Sequence, residues 1–164
     1  MDTLPTRWTL FLAPALLAAG CTGFASISPG TPAQQVQAAV GAPASVFKNA
    51  DGSETWEYPL GPLGVQTYMV SFGPDRAVRD VQQVLTDENI SKLRPGMSRD
   101  EVRRALGRPA GVNMMDRTGE EIWYWRYMAW EVRKMEAYAQ FDRRTGMLKQ
   151  VQRHQIDTSD SRRN

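Results

Sequence analysis

Pro29-Gly30-Thr31-Pro32-Ala33-Gln34-Gln35-Val36-Gln37-Ala38-Ala39-Val40-Gly41-Ala42-Pro43 returns 66 residues later as Pro95-Gly96-Met97-Ser98-Arg99-Asp100-Glu101-Val102-Arg103-Arg104-Ala105-Leu106-Gly107-Arg108-Pro109. Six of the fifteen positions are identical, where about one would match by chance at average residue usage. Identity continues at Ala44/Ala110 and Val46/Val112. A fixed-offset repeat of this kind means a tandem of one supersecondary unit.

The repeated stretch predicts a short, sharply bounded helix. Ser98 followed three residues later by Glu101 forms a capping box. Val102, Ala105 and Leu106 fall on one helical face. Gly107 suits the left-handed C′ position, and Pro109 stops the helix. In the first copy Thr31 is the expected cap and Pro32 the first helical residue, with Gly41 and Pro43 ending it. A helix of about nine residues is unstable alone in water and must lean on a sheet.

Outward from each helix, aromatic and branched runs separated by turn residues predict strands. They are 53–58, 65–72 and 77–85 in the first copy and 121–130, 135–142 and 147–154 in the second. Trp56 and Tyr58 correspond to Trp123 and Trp125, Phe72 to Phe141, and Val81 to Val151. Residues 87–93 predict an extra helical turn capped by Thr86, for which the eight residues from Cys21 to Ser28 leave no room in the first copy. The expected fold is α+β: two tandem units, 29–85 and 86–156, each with one or two short helices on a three- to four-stranded antiparallel meander. Val84–Ile90 joins them without a Pro, Gly or Ser run. A unit of this size is marginal by itself, so the two are expected to share a core or a continuous sheet. Residues 157–164 are expected to form a disordered tail.

The N-terminus carries a different message. Arg7 precedes an apolar run from Trp8 to Ala19, too short to span a bilayer but of signal-peptide length. It closes on Leu17-Ala18-Ala19-Gly20-Cys21, which contains the single cysteine of the chain. The pentad resembles the lipobox of bacterial lipoproteins. That resemblance implies removal of residues 1–20, lipidation of Cys21 with a diacylglycerol thioether and a palmitate-type acyl chain, and a lipidated tether at 21–28. Thr22 stands where inner-membrane retention signals often carry Asp, so the expected location is the cell outer membrane, on its periplasmic face. With its thiol acylated the chain has no disulfide.

The Pro-Gly-Met-Ser-x-x-x-Val-x-x-x-Leu-Gly-x-Pro pattern, with its helices and meander, resembles the SmpA/OmlA (BamE-like) family of outer-membrane lipoproteins. The resemblance covers nearly all of the second copy and most of the first. It implies a non-catalytic, membrane-anchored scaffold that binds envelope proteins, the β-barrel assembly machine among the candidates. Two copies in tandem depart from the single copy of the assembly-machine subunit. They look more like secreted β-lactamase inhibitor proteins, and a periplasmic inhibitor that clamps one enzyme with its sheet is the alternative. Only scaffold positions match, so no binding residue is carried over from either family.

Composition excludes much enzyme chemistry. With one histidine (His154, read as exposed at a strand end) and one cysteine, no Ser-His-Asp set, zinc cluster or cysteine–histidine pair can be assembled. No catalytic residue, metal, cofactor, small-molecule substrate or nucleic-acid partner is expected. The informative feature is the strand from Ile122 to Trp130. Alternation puts Trp123, Trp125 and Tyr127 on the core side and Tyr124, Arg126 and Trp130 on the other. Tyr138 has the parity to join the second set. These residue types are enriched at interface centres, so Tyr124, Arg126, Trp130 and Tyr138 are candidate partner-binding residues. The alternative is that the tail or the other copy covers this face. Charge is uneven: 21–90 holds three basic and seven acidic residues, and 91–164 holds sixteen and ten. The halves therefore meet different neighbours or attract each other. Arg103, Arg104, Arg108, Arg143, Arg144 and Lys149 are candidates for contact with anionic lipid or an acidic partner.

Overall fold

Two four-stranded antiparallel sheets, each a meander in chain order, carry the fold of the computed structural model. It describes residues 23–60, 65–130 and 132–156; the signal segment, Cys21 and the tail 157–164 lie outside them. The first sheet comprises β1 (Ser45–Lys48), β2 (Glu54–Leu60), β3 (Gln66–Phe72) and β4 (Val78–Gln83). The second comprises β5 (Gly111–Met115), β6 (Glu120–Ala129), β7 (Arg133–Asp142) and β8 (Leu148–Gln155). Helix α1 (Ala33–Val40) precedes the first sheet, and α2 (Asp87–Ser91) and α3 (Arg99–Leu106) precede the second. This is the α+β tandem expected, with four strands in each unit.

Local chemistry explains the helix bounds. At α3 the Glu101 N–H donates to Ser98 Oγ (3.2 Å) and the Ser98 N–H donates to the Glu101 carboxylate (2.7 Å), completing the capping box. Thr86 caps α2 as expected. In the first copy Pro32, not Thr31, is the N-cap, and no side chain caps the helix. The Thr31 hydroxyl instead donates back to the Ser28 carbonyl (2.7 Å). Gly41 (φ 87°, ψ −173°) and Gly107 (φ 81°, ψ −173°) end α1 and α3. Their φ is positive as expected, but ψ is extended, so they sit at the C-cap in a region essentially reserved for glycine. At each helix the carbonyl of the C-cap glycine is met by a ring donor: Tyr58 O–H to Gly41 (3.2 Å) and Trp125 Nε1–H to Gly107 (3.1 Å).

Both sheets hold their helix by the same device. The Gly30 N–H donates to the Val78 carbonyl and the Val78 N–H to the Thr31 carbonyl; Gly96, Leu148 and Met97 repeat the arrangement. A bulge at Ser71/Phe72 recurs at Gln140/Phe141. The first copy also has a counterpart of α2, contrary to expectation: the 3₁₀ turn Phe24–Ser26 leads to buried Ile27 as α2 leads to buried Leu93. Within the stretch 21–28 expected to be a tether, Phe24 stacks on Tyr68 (4.4 Å between ring centres).

The cores are separate. Ile27, Ala33, Val36, Trp56, Tyr58, Val70, Phe72 and Val78 form one cluster. Leu85, Ile90, Leu93, Val102, Leu106, Trp123, Trp125, Tyr127, Phe141 and Leu148 lie in the other. The expected shared core or continuous sheet is therefore not what joins the units. Helix α3 joins them. Val102 and Leu106 face the second core, while Arg103, Arg104 and the Gly107–Arg108 turn lie on the outer face of the first sheet. Glu57, outward by strand alternation, is fully buried there. Its carboxylate accepts from the Arg108 N–H and from Arg103 (3.3 Å). Arg103 also donates to Ser45 (2.8 Å), and Arg103 and Arg104 lie over the Phe47 ring at 5.7 and 5.0 Å. The order through the molecule is α1, first sheet, α3, second sheet.

Candidate protein-binding face of the second sheet

β6 alternates strictly along its length, with Trp123, Trp125, Tyr127 and Ala129 buried. Its other side carries Ile122, Tyr124, Arg126 and Met128. Register places Tyr124 opposite Tyr138 and Arg126 opposite Glu136, with Glu136 opposite His154 on β8. Three of the four predicted residues are thus brought together. The Tyr124 and Tyr138 rings are 6.2 Å apart, and His154 meets Tyr138 edge-on at 5.7 Å. Arg126 lies over Tyr124 at 5.7 Å and donates to Glu136 (3.0 Å). Glu136 accepts the Tyr138 hydroxyl on its other oxygen. Tyr124 lies across Gly111, where a Cβ would come within 2.4 Å of the ring.

The ion pair fixes the protonation states. Hydrogen bonds from Tyr138 and then Arg126 hold the Glu136 carboxyl below its ordinary value, although partial burial opposes this. Tyr138 is raised, chiefly by donating to that carboxylate, and Arg126 is raised by the same partner. The result is a flat patch of rings with a neutralised ion pair at its centre. Such a patch presents donors, acceptors and apolar area without an unpaired charge to desolvate.

Trp130 does not join it. β6 ends at Ala129, and Trp130 sits on the following hairpin turn with φ 47° and 71% exposure. Glu136 and His154 belong to the patch but were not read as members. Parity along β7 and β8 was the signal available for both.

The six cations do not share one face. Arg103 and Arg104 pack against the first unit, and Arg108 follows α3 at the same joint. Arg143 pairs with Asp116 (2.7 Å) and Lys149 with Glu120, beside the exposed Arg144. Among the described residues no cluster of three His, Cys, Asp or Glu side chains could hold a metal, and no helix is long and apolar enough to cross a membrane.

Comparison with known proteins places this face inside a known domain. Residues 83–154 match the family model described as the outer membrane protein assembly factor BamE domain. The match contains α2, α3 and every residue of the patch. No curated protein matches the sequence. Among solved structures, a candidate β-lactamase inhibitor protein from Streptococcus mutans is 15% identical over 80% of this chain and 92% of its own, at a TM-score of 0.30. An extracellular SCP-domain protein from Bacillus anthracis str. Ames is 15% identical over 96% of this chain and 50% of its own, at 0.26. Neither score carries an argument. The second unit, residues 83–154, is thus similar to the BamE domain.

Proposed function

We propose that this protein is a lipid-anchored, non-catalytic scaffold of the outer membrane that holds a partner protein on the outer face of its second sheet during envelope assembly. The mature chain starts at Cys21, the first unit runs to about residue 85, and the anchor holds both on the periplasmic face. The carrying observation is the patch Tyr124, Arg126, Glu136, Tyr138 and His154 within the BamE-matching segment. The first unit supports the reading, because there the corresponding sheet face is covered by α3. Tethering confines the patch to a surface, so modest contacts give high occupancy.

Affinity purification from detergent-solubilised envelopes tests this. The wild-type chain should retain a partner that is lost from a Tyr124→Ala/Tyr138→Ala variant whose thermal unfolding is unchanged. Equal retention by both would sink the binding face. A single hydrolase recovered in stoichiometric, inactive form would replace the scaffold by an inhibitor. Failure of labelled palmitate to enter the protein would remove the anchor.

A further inference from the structure

We propose that the β6–β7 hairpin tip is a second membrane contact, which seats Trp130 and Val132 in the lipid headgroup layer beside the anchor. This rests on the lipid attachment at Cys21 proposed above. Trp130 and Val132 are 71% and 82% exposed, the two most exposed large apolar residues among those described. Trp130 has φ 47°, a left-handed turn conformation that strains a bulky residue and suits Asn or Gly better. A tryptophan held under that strain and left in water calls for a use outside the fold. Arg133 lies over the Trp130 ring at 5.0 Å, and Lys134 follows it. Glu131 lies between Trp130 and Val132, so residues 130–134 carry two cations against one acid; an exposed indole on a net-basic tip suits an anionic headgroup layer, where indoles concentrate and each Lys or Arg adds attraction.

Position selects lipid over other occupants. Trp130, Ala129 and Met128 line one cleft of ≈ 620 Å³ with Gln66 and Tyr68 of the first unit. Tyr68 is the ring on which Phe24 stacks. Phe24, three residues from Cys21, thus packs on a ring that lines the same cleft as the hairpin tip. Cys21 is two residues from Gly23, a reach of at most about 7 Å. The acidic side chains lining the cleft are already paired, Asp87 with Arg153 (3.1 Å) and Glu88 with Lys92 (2.7 Å). The second unit then touches the bilayer through its tip instead of projecting away from it.

The test uses a chain from Cys21 to Asn164, which keeps every residue of both cores, Ile27 to Leu148. Its sole thiol, Cys21, is coupled to a maleimide phospholipid in phosphatidylethanolamine/phosphatidylglycerol vesicles, which makes the result independent of native lipidation. Trp56, Trp123 and Trp125 are buried (4%, 9% and 1% exposed), so lipids brominated high on the acyl chain should quench Trp130 alone. The expected result is a loss of tryptophan emission in the wild type that is absent in Trp130→Phe. Uncoupled chain should bind the same vesicles weakly, and Val132→Ser should weaken this by about tenfold. No quenching, or equal quenching in Trp130→Phe, would overturn the proposal. So would a concentration-dependent shift of Trp130 emission without lipid, which would assign the tip to a second copy of the chain.

Discussion

Gly107 and Glu57 carry the joint between the units. A Cβ at Gly107 would stand 2.6 Å from Thr67 Cγ2 and 3.1 Å from Glu57 Oε1, at φ +81°. Gly107→Ala should therefore lose about 2–3 kcal/mol in chemical denaturation, part backbone strain and part collision. Adding Thr67→Ser, which removes the colliding methyl, should return only the second part. Glu57→Ala strands the buried Arg108 N–H and should cost about 2 kcal/mol, less than a fully buried pair because Arg103 is 34% exposed. None of this was legible from the strand pattern. Alternation assigns Thr55 and Glu57 to the outward side but does not say what lies on that side. The charge contrast between halves left attraction as one of two readings, and Arg103 pairs with Glu57 across the joint. On the binding patch, Glu136 is held below the ordinary carboxylate range by Tyr138 and Arg126. A depressed folded-state value means that the network's stabilisation is complete above the ordinary carboxylate range and is lost as pH falls through the folded value. Carboxyl ¹³C NMR should show Glu136 titrating below the ordinary glutamate value, and Tyr138→Phe should move its midpoint upward.

Helices α1 and α3 look equivalent in sequence but are capped differently. Ser98 completes a capping box, whereas Thr31 bonds backward to Ser28 and leaves α1 without a side-chain cap. Ser98→Ala should cost about 1 kcal/mol, and Thr31→Ala no more than a few tenths, measured by thermal unfolding of each variant. The helices were legible because Pro-Gly before and Gly-x-Pro after leave the chain few other options. The long strands were legible because β6 alternates over ten residues. β1 and β5 were not. β1 has four residues, and β5 is exposed at all but its first position, so neither carries the contrast that periodicity needs. The 3₁₀ turn Phe24–Ser26 was hidden for a similar reason: three residues hold no period.

Across the whole molecule, sequence showed two copies but not their stacking, because each apolar pattern reports the core its own unit builds. The contact between units includes arginines, a glutamate, the face of a phenylalanine ring and a glycine, which no hydrophobic period reveals. Because α3 belongs to the second core and also covers the first sheet, the units should unfold together. Near-UV circular dichroism and tryptophan emission should give coincident denaturation curves in the wild type and separate curves once Glu57 is replaced. The same sharing limits valency. One of the two sheet faces is occupied from within, so on the proposed reading a chain built by doubling offers a single grip and would engage its partner one to one.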